Sequence, residues 1–538
     1  MTWLRSTGLL AAAALACPAQ AQDSSADAAA ETARAAARAD RHAEAIAAFR
    51  AAIALAPERT GEWRRELADQ LTWSRQFAEA IALYRAGVAA DQGEAQRQAR
   101  IGLARALSWA GQHDAAIAEY GRALAMQPQD RDVAIARAQV LGWASRLGAA
   151  EAAYAALLRA NPDDADALRG RARMRSWRGD YRAAIADAQR LLALQPGDRE
   201  GSVILAEARI WMGRGDLALP VLRAAAAQHP DHRHLAKLLD AQQQRLRPEV
   251  RADLRLFDQS DDLAISEASI DLRLPIDAGR GSVGLRYARA AYRPPQARRD
   301  GIRVDRPALH GGYRISDAVE VNGAVALDII IEEGRGRRQA PLTFEGYATL
   351  RPVDAIRIDA GVSRWTFDSE VTLRAALIAT QLGASIDVIP ADGTTLSARI
   401  SRTKYTDGNR RNWQQVELAH RLLDRPRLTA GYRLTRFAFR LPWQPGYYSP
   451  AGFTGHEVTL RGYGDLSLSW RWDLRLAGGI EREKGGSSRA IVNAGLSIAK
   501  RLSARLEAEA AYDYSSSRSF SPDGFRRSIA RITLRARF

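Results

Sequence analysis

Two periods divide this chain. From residue 22 to about 247, apolar positions recur at helical spacing and most are alanine; from about 248 onward, apolar and polar residues alternate strictly. In the first part six stretches share one form. They are Ala45–Phe49 followed by Pro57, Ala80–Tyr84, Ala116–Tyr120 followed by Pro128, Ala150–Tyr154 followed by Pro162, Ala184–Ala188 followed by Pro196, and Ala218–Leu222 followed by Pro230. A second marker runs in phase with them: Trp73, Trp109, Trp143, Trp177 and Trp211, spaced by 36, 34, 34 and 34 residues. A 34-residue period carried by two independent markers is that of the tetratricopeptide repeat, a helix pair. Alanine lets the paired helices approach, the aromatic midway along the second helix fills the gap, and proline ends that helix. The fixed phase of the tryptophans predicts packing positions between helices, with stacking on sugar rings as the alternative. Such an array is a curved solenoid with a concave surface suited to a protein partner.

In the second part Val250, Ala252, Leu254 and Leu256 alternate with Arg251, Asp253 and Arg255, and Leu466 to Leu476 repeats the pattern with Arg471, Asp473 and Arg475 between. Alternation with one charged face suits a strand that turns one side to lipid and the other to a wet bore. About sixteen strands are expected, beginning near residues 249, 265, 281, 307, 318, 341, 355, 372, 394, 412, 427, 455, 466, 489, 503 and 526. Every second connection is tight, while Arg293–Asp305, Glu332–Ala340, Leu441–Phe453 and Ser515–Gly524 are longer. Short turns inside and long loops outside is the outer-membrane habit, and an even count returns both ends to the periplasm. A water-soluble sandwich would share the alternation with its apolar face inward.

The remaining features favour the membrane. Arg5, the apolar run Leu9–Ala16 and the small-residue site Ala19-Gln20-Ala21 predict a secretory signal over 1–21. The run is far shorter than the roughly 20 apolar residues of a spanning helix. The one cysteine, Cys17, lies inside it; acylation there is an alternative, although Ala14-Leu15-Ala16 departs from an acylation motif. Cleavage after Ala21 leaves no cysteine, which removes disulfides, thiol catalysis and cysteine–metal sites. The net charge of +16 is almost all arginine, since the lysines are only Lys237, Lys404, Lys484 and Lys500. Acids are interspersed throughout, so no basic tail for nucleic acid exists.

The domains expected are therefore a signal peptide over 1–21, a periplasmic tetratricopeptide α-solenoid over 22–247, and an outer-membrane antiparallel β-barrel over 248–538. The closing strand carries Ile532, Leu534, Ala536 and Phe538 on one face. A terminal phenylalanine resembles the signal read by the barrel-assembly machinery. Repeats ahead of a barrel of this size resemble the exopolysaccharide export porins of biofilm systems. These include the outer-membrane subunit of bacterial cellulose synthesis, the poly-N-acetylglucosamine porin, and the smaller YaiO-type outer-membrane barrels. Leu107-Ser108-Trp109-Ala110-Gly111 and Gly446-Tyr447-Tyr448-Ser449-Pro450 carry the resemblance. About six repeats is fewer than the cellulose subunit carries, which separates this chain from a cellulose assignment. The resemblance implies passive conduction of a glycan, with the repeats reaching periplasmic or inner-membrane synthase components, and no cofactor. The alternative is a non-conducting anchor or receptor presenting the repeats for envelope assembly.

Turning the apolar strand faces to lipid puts Arg399, Arg433, Arg471, Arg475, Arg527, Arg531, Arg535 and Arg537 in the bore, among others. They are candidates for an electropositive path for an anionic polymer, or for ion pairs that brace the wall. Tyr447 and Tyr448 are placed in a loop at the mouth, stacking on sugar or folded inward. Arg335, Arg337 and Arg338, and Arg298, Arg299, Arg303 and Arg306, form basic loops suited to lipopolysaccharide phosphates. His229, His232 and His234 crowd together without metal-site spacing. No nucleophile, phosphate-loop or zinc-protease motif appears, so an enzyme is not expected.

Overall fold

The 34-residue period folds as antiparallel helix pairs. A computed structural model describes residues 10–260, 263–293, 301–367, 369–518 and 526–538, without the side chains of 10–22. Thirteen helices run from Leu10–Arg38 to Arg233–Arg245. The helices Leu10–Arg38, Thr60–Trp73, Gly93–Trp109, Arg131–Trp143, Ala165–Arg178 and Arg199–Trp211 alternate with His42–Leu55, Phe77–Ala90, His113–Met126, Leu147–Ala160, Tyr181–Leu194 and Gly215–Gln228. The marker alanines Ala45, Ala80, Ala116, Ala150, Ala184 and Ala218 are all fully buried, as their place at the helix crossings requires. The aromatics Phe49, Tyr84, Tyr120 and Tyr154 are buried beside them. Gly102 and Gly170 lie so close to the rings of Tyr84 and Tyr154 that a Cβ would come within 2.2 Å of each. The helices ending at Leu55, Met126, Ala160, Leu194 and Gln228 stop just before Pro57, Pro128, Pro162, Pro196 and Pro230. Proline rejects a helical residue before it and cannot donate onward.

The segment expected as a secretory signal lies partly outside the described residues. Helix Leu10–Arg38 runs on through the expected cleavage point.

Helix gives way to strand between Arg245 and Glu249. Eighteen strand segments close into one antiparallel sheet. Ile329–Glu332 continues Val319–Leu327 beyond Asp328, and the short Arg338–Gln339 leads into Leu342–Val353, so sixteen strands make the barrel. The seam is complete: Glu249 faces Arg537 and Gln259 faces Arg527 on one side, while Glu249 faces Arg273 on the other. Outward positions are apolar and exposed, with Leu285, Leu382, Ile400 and Val458 each about 60% exposed or more. Inward positions such as Asp253, Glu417, Glu457 and Thr533 are buried. Greasy side chains point out and ionised ones in, the reverse of a soluble sandwich.

Four strand starts differ from expectation by three residues or more, one of them the strand expected near 503, which begins at Leu506. The strand expected near 307 begins at Ile302. Leu466 and Leu468 belong to a turn, and that strand starts at Trp470. Residues near 372 form a short helix, Glu370–Arg374, before the strand Ile378–Ala391. There the Ser369 side chain accepts the Thr372 N–H, a cap that outweighs the strand preference of Val371 and Thr372.

The chain clusters into two compact units: the first ends at Arg178 and adds Ala183–Ile204, and the second comprises Gly179–Arg182 and Leu205–Phe538. Within the second unit Arg214 pairs with Asp216 at 2.7 Å and also with Asp317 in a short turn between strands.

Candidate functional site

The bore wall is built from every second residue of each strand, and its arginines find acids across the sheet. Arg433 donates to Glu417 at 3.1 Å and lies 3.5 Å from Glu457. Arg461 reaches the same Glu417 at 3.1 Å. Arg471 pairs with Glu507 at 2.6 Å, Arg475 with Asp513 at 2.9 Å, and Arg531 with Glu509 at 3.0 Å. Arg535 bridges Glu507 and Glu509, and Arg537 pairs with Glu249 at 2.9 Å. Arg399 donates to Gln415 and lies 3.9 Å from Asp387. Arg527 is buried, donating to Gln259 at 2.7 Å over the ring of Phe257.

These arginines, for which an electropositive path and bracing ion pairs were the two readings, sit in a lattice of ion pairs, because cross-strand neighbours of opposite charge lie within reach on one face. A ring of one sign would select permeants by charge; a paired wall offers alternating donors and acceptors instead. Part of the bore is a cavity of about 960 Å³, lined among others by Arg255, Glu267, Arg306, His310, Asp328 and Glu345. Asp328 interrupts its strand and is nearly inaccessible, held by Arg306 at 2.5 Å and by the hydroxyls of Thr343 and Thr366.

Towards the rim that carries the long loops, the inward positions turn apolar. Ile265, Tyr292, Ile302, Val304 and Ile330 form a buried cluster that takes in Leu373 of the short helix. Arg374 of that helix pairs with Glu332 at 2.8 Å, and Gln339 donates to its carbonyl. A second cluster joins Phe367, Leu377, Tyr405, Phe437, Phe439, Phe453 and Tyr447. Tyr447 stacks on Tyr405 at 5.3 Å, donates to Asp407 at 2.7 Å, and accepts from Asn409 at 2.8 Å. Tyr448 donates to Glu483 at 2.7 Å. Burial pushes both phenols up, and their carboxylate partners add to it. The two loops are tied to each other, since Ser369 donates to the Gly446 carbonyl at 2.7 Å. The loop 440–452 is therefore folded inward over the bore, with Tyr447 closed off from solvent.

Leu373, Arg374 and Glu332 were not among the sequence candidates. The available signal was Ser369 followed by Glu370, a helix start hidden by β-branched residues.

The repeat tryptophans are not between helices. Trp73, Trp109, Trp143, Trp177 and Trp211 are 50%, 38%, 50%, 48% and 70% exposed. Each stands at or beside the last residue of its helix, where the chain leaves for the next turn and neighbouring helices cover the ring only in part. Trp73 and Trp109 meet edge to face at 4.9 Å, and His42 stacks on Trp73 at 6.5 Å. The basic loops also differ from expectation. Arg298 and Arg299 lie outside the described residues, Arg303 pairs with Asp305, and Arg306 points to Asp328 in the bore. Arg335 and Arg337 lie about 4 Å from Glu332, and Arg338 is in the short strand. His234 meets Glu207 at 2.8 Å and His232 caps the last repeat helix. Phe538 is exposed, its N–H donating to the Pro248 carbonyl.

A tetratricopeptide repeat model matches residues 74–140 and 178–241, and a second matches 135–199. No curated protein sequence matches the chain. The solved structure of a "bacterial polysaccharide outer membrane secretin" aligns over 55% of this chain and 99% of its own, at 13% identity and a TM-score of 0.43. A tetratricopeptide repeat protein from Parabacteroides merdae aligns over 40% of this chain and 85% of its own, at 16% identity and TM-score 0.37. YrrB, a repeat protein "with an unusual peptide-binding site", aligns over 32% and 89%, at 17% identity and TM-score 0.28. Residues 74–241 are accordingly tetratricopeptide repeats, in a chain that continues into a closed sixteen-strand barrel of outer-membrane type.

Proposed function

We propose that this protein is a conduit for export of an exopolysaccharide across the outer membrane, with its repeats in the periplasm as a scaffold for synthase components. The observation that carries the reading is a closed barrel with a lipid-compatible exterior and a polar, charge-paired bore, on a chain that also holds a repeat array. A wall of alternating arginine and carboxylate suits a polymer rich in hydroxyls, which can accept from one and donate to the other. It gives no preference to an anionic chain. The 1–21 segment directs secretion and is removed, the short turns face the periplasm, and Phe538 serves barrel assembly.

The mouth supports a closed resting state in which the loop 440–452 and the helix Glu370–Arg374 must swing aside for polymer to leave. The same packing favours a second reading, a plugged barrel that anchors the repeats. Deletion of the gene separates them. Export predicts that polymer synthesis continues while surface matrix disappears; an anchor predicts that matrix secretion persists.

A further inference from the structure

On the outer face of the barrel, the apolar band ends abruptly below the long-loop rim. Val416, Leu418, Tyr432, Val458, Ile480 and Val492 are exposed and outward. The next outward positions above them are polar: Gln414, Arg436, Thr454 and Arg482 lie in one row across four neighbouring strands. One step further, Arg402 faces Asn412 and Lys404 faces Arg410. Lys484 completes the group. These six cations are all exposed, and among the described residues none has a carboxylate within 4.0 Å.

That isolation contrasts with the pairing of other cations in the barrel. In the bore almost every arginine is paired, as shown above. On the outer face of the opposite wall, Arg289 and Arg303 converge on Asp305 at 2.6 and 3.1 Å. Arg436, Arg482 and Lys484 instead line an outward groove of about 500 Å³ with Asn412, Gln414 and Thr454; Glu483 also borders it, but its carboxylate is taken by Tyr448 and Arg518. Arg436 and Arg482 are two strands apart, about 10 Å, so separate anions or one branched anionic group can be held between them. Cations without counter-charges at the edge of a lipid-facing band require an anion from outside the chain, and the membrane supplies it at that depth.

We infer that this face binds the phosphate groups of an outer-leaflet glycolipid, with Arg436, Arg482 and Lys484 as its core and Arg402, Lys404 and Arg410 at its flank. The inference rests on the outer-membrane reading. Glycolipid held here lies against the strands that carry Phe437 and Phe453 on their inner side, and so against the wall on which the loop 440–452 packs.

The test uses the full chain in a non-ionic detergent and native mass spectrometry with bisphosphorylated lipid A as the probe. Wild type should retain lipid A, and retention should weaken as ionic strength rises. The triple variant Arg436→Gln, Arg482→Gln, Lys484→Gln should lose at least about tenfold in affinity. Arg289→Gln with Arg303→Gln, on the paired wall, should not. Lipid A stripped of phosphate should bind wild type no better than a zwitterionic lipid does. Equal retention by the triple variant, equal retention of the stripped lipid, or indifference to salt overturns the site. The salt series on wild type stands even where the variant does not fold. Those outcomes leave the barrel reading intact; failure of wild type to enter any bilayer removes the barrel reading itself.

Discussion

Trp63 and Trp73 sit ten residues apart on one helix and do opposite things. Trp63 is 1% exposed, with Arg59 over its ring, while Trp73 is half exposed at the helix end. Truncating Trp63 leaves a cavity in a packed interior, so Trp63→Ala should cost about 3–5 kcal/mol. Trp73→Ala loses an edge contact with Trp109 and a distant stack with His42 on a half-exposed ring, and should cost about 1 kcal/mol. Urea unfolding followed by the helical circular-dichroism signal measures both; equal losses would mean that the tryptophan file is part of the core after all. A period of 34 says that residues are equivalent, and it says nothing about whether the equivalent place is inside. The alanine marker and the mid-helix aromatic were legible as core because close helix approach and gap filling demand those side chains. The tryptophan marker was misread for want of that demand.

Between repeats, elements are joined by charge. Arg131 donates to Asp164 at 2.6 and 2.7 Å, and Asp164 also accepts the Ala167 N–H that opens its helix. Arg97 and Asp130 repeat the arrangement one unit earlier, with Asp130 accepting from Val133. The Arg131 hydrogen bonds hold the Asp164 carboxyl below the usual carboxylate range, against the cost of burial. A carboxyl whose folded pKa is depressed stabilises in full above its unfolded value of about 3.9, and that stabilisation is lost as pH falls through the folded value. The urea midpoint of the helical transition should therefore be steady from neutral pH to about 5 and fall steeply below about 4. Asp164→Asn, which keeps the cap oxygen, should start lower and fall less; a fall as steep as wild type's would deny the pair its role. The caps carry a sequence signal absent from the expectations above: Asp130, Asp164 and Asp198 each stand two residues after a proline at the start of a helix. Their arginine partners come from the preceding repeat, and a single sequence does not show which side chain crosses. The barrel strands were legible through alternation, and the short helix Glu370–Arg374 was not, because its cap is one hydroxyl.

At the scale of the molecule, two properties decide what the bore can pass: whether its mouth opens and which charges it leaves free. The mouth is held by ring packing around Tyr447 and by the Ser369–Gly446 link, and neither lies in the strand ladder. Replacing 440–452 by a short glycine–serine linker should therefore leave the barrel folded and turn a closed protein into a steadily conducting one in a planar bilayer. In that opened form the wall can be read directly. With Arg433 and Arg461 set against Glu417 and Glu457, two cations and two acids, the opened bore should discriminate little between potassium and chloride. Glu417→Gln removes one negative charge and leaves Arg461 without its acid, while Arg433 keeps Glu457, so the reversal potential under a salt gradient should move towards chloride. Conductance unchanged by the loop replacement would place the closure elsewhere along the bore. A strong chloride preference before the Glu417 substitution would restore the electropositive path that the ion pairs argue against.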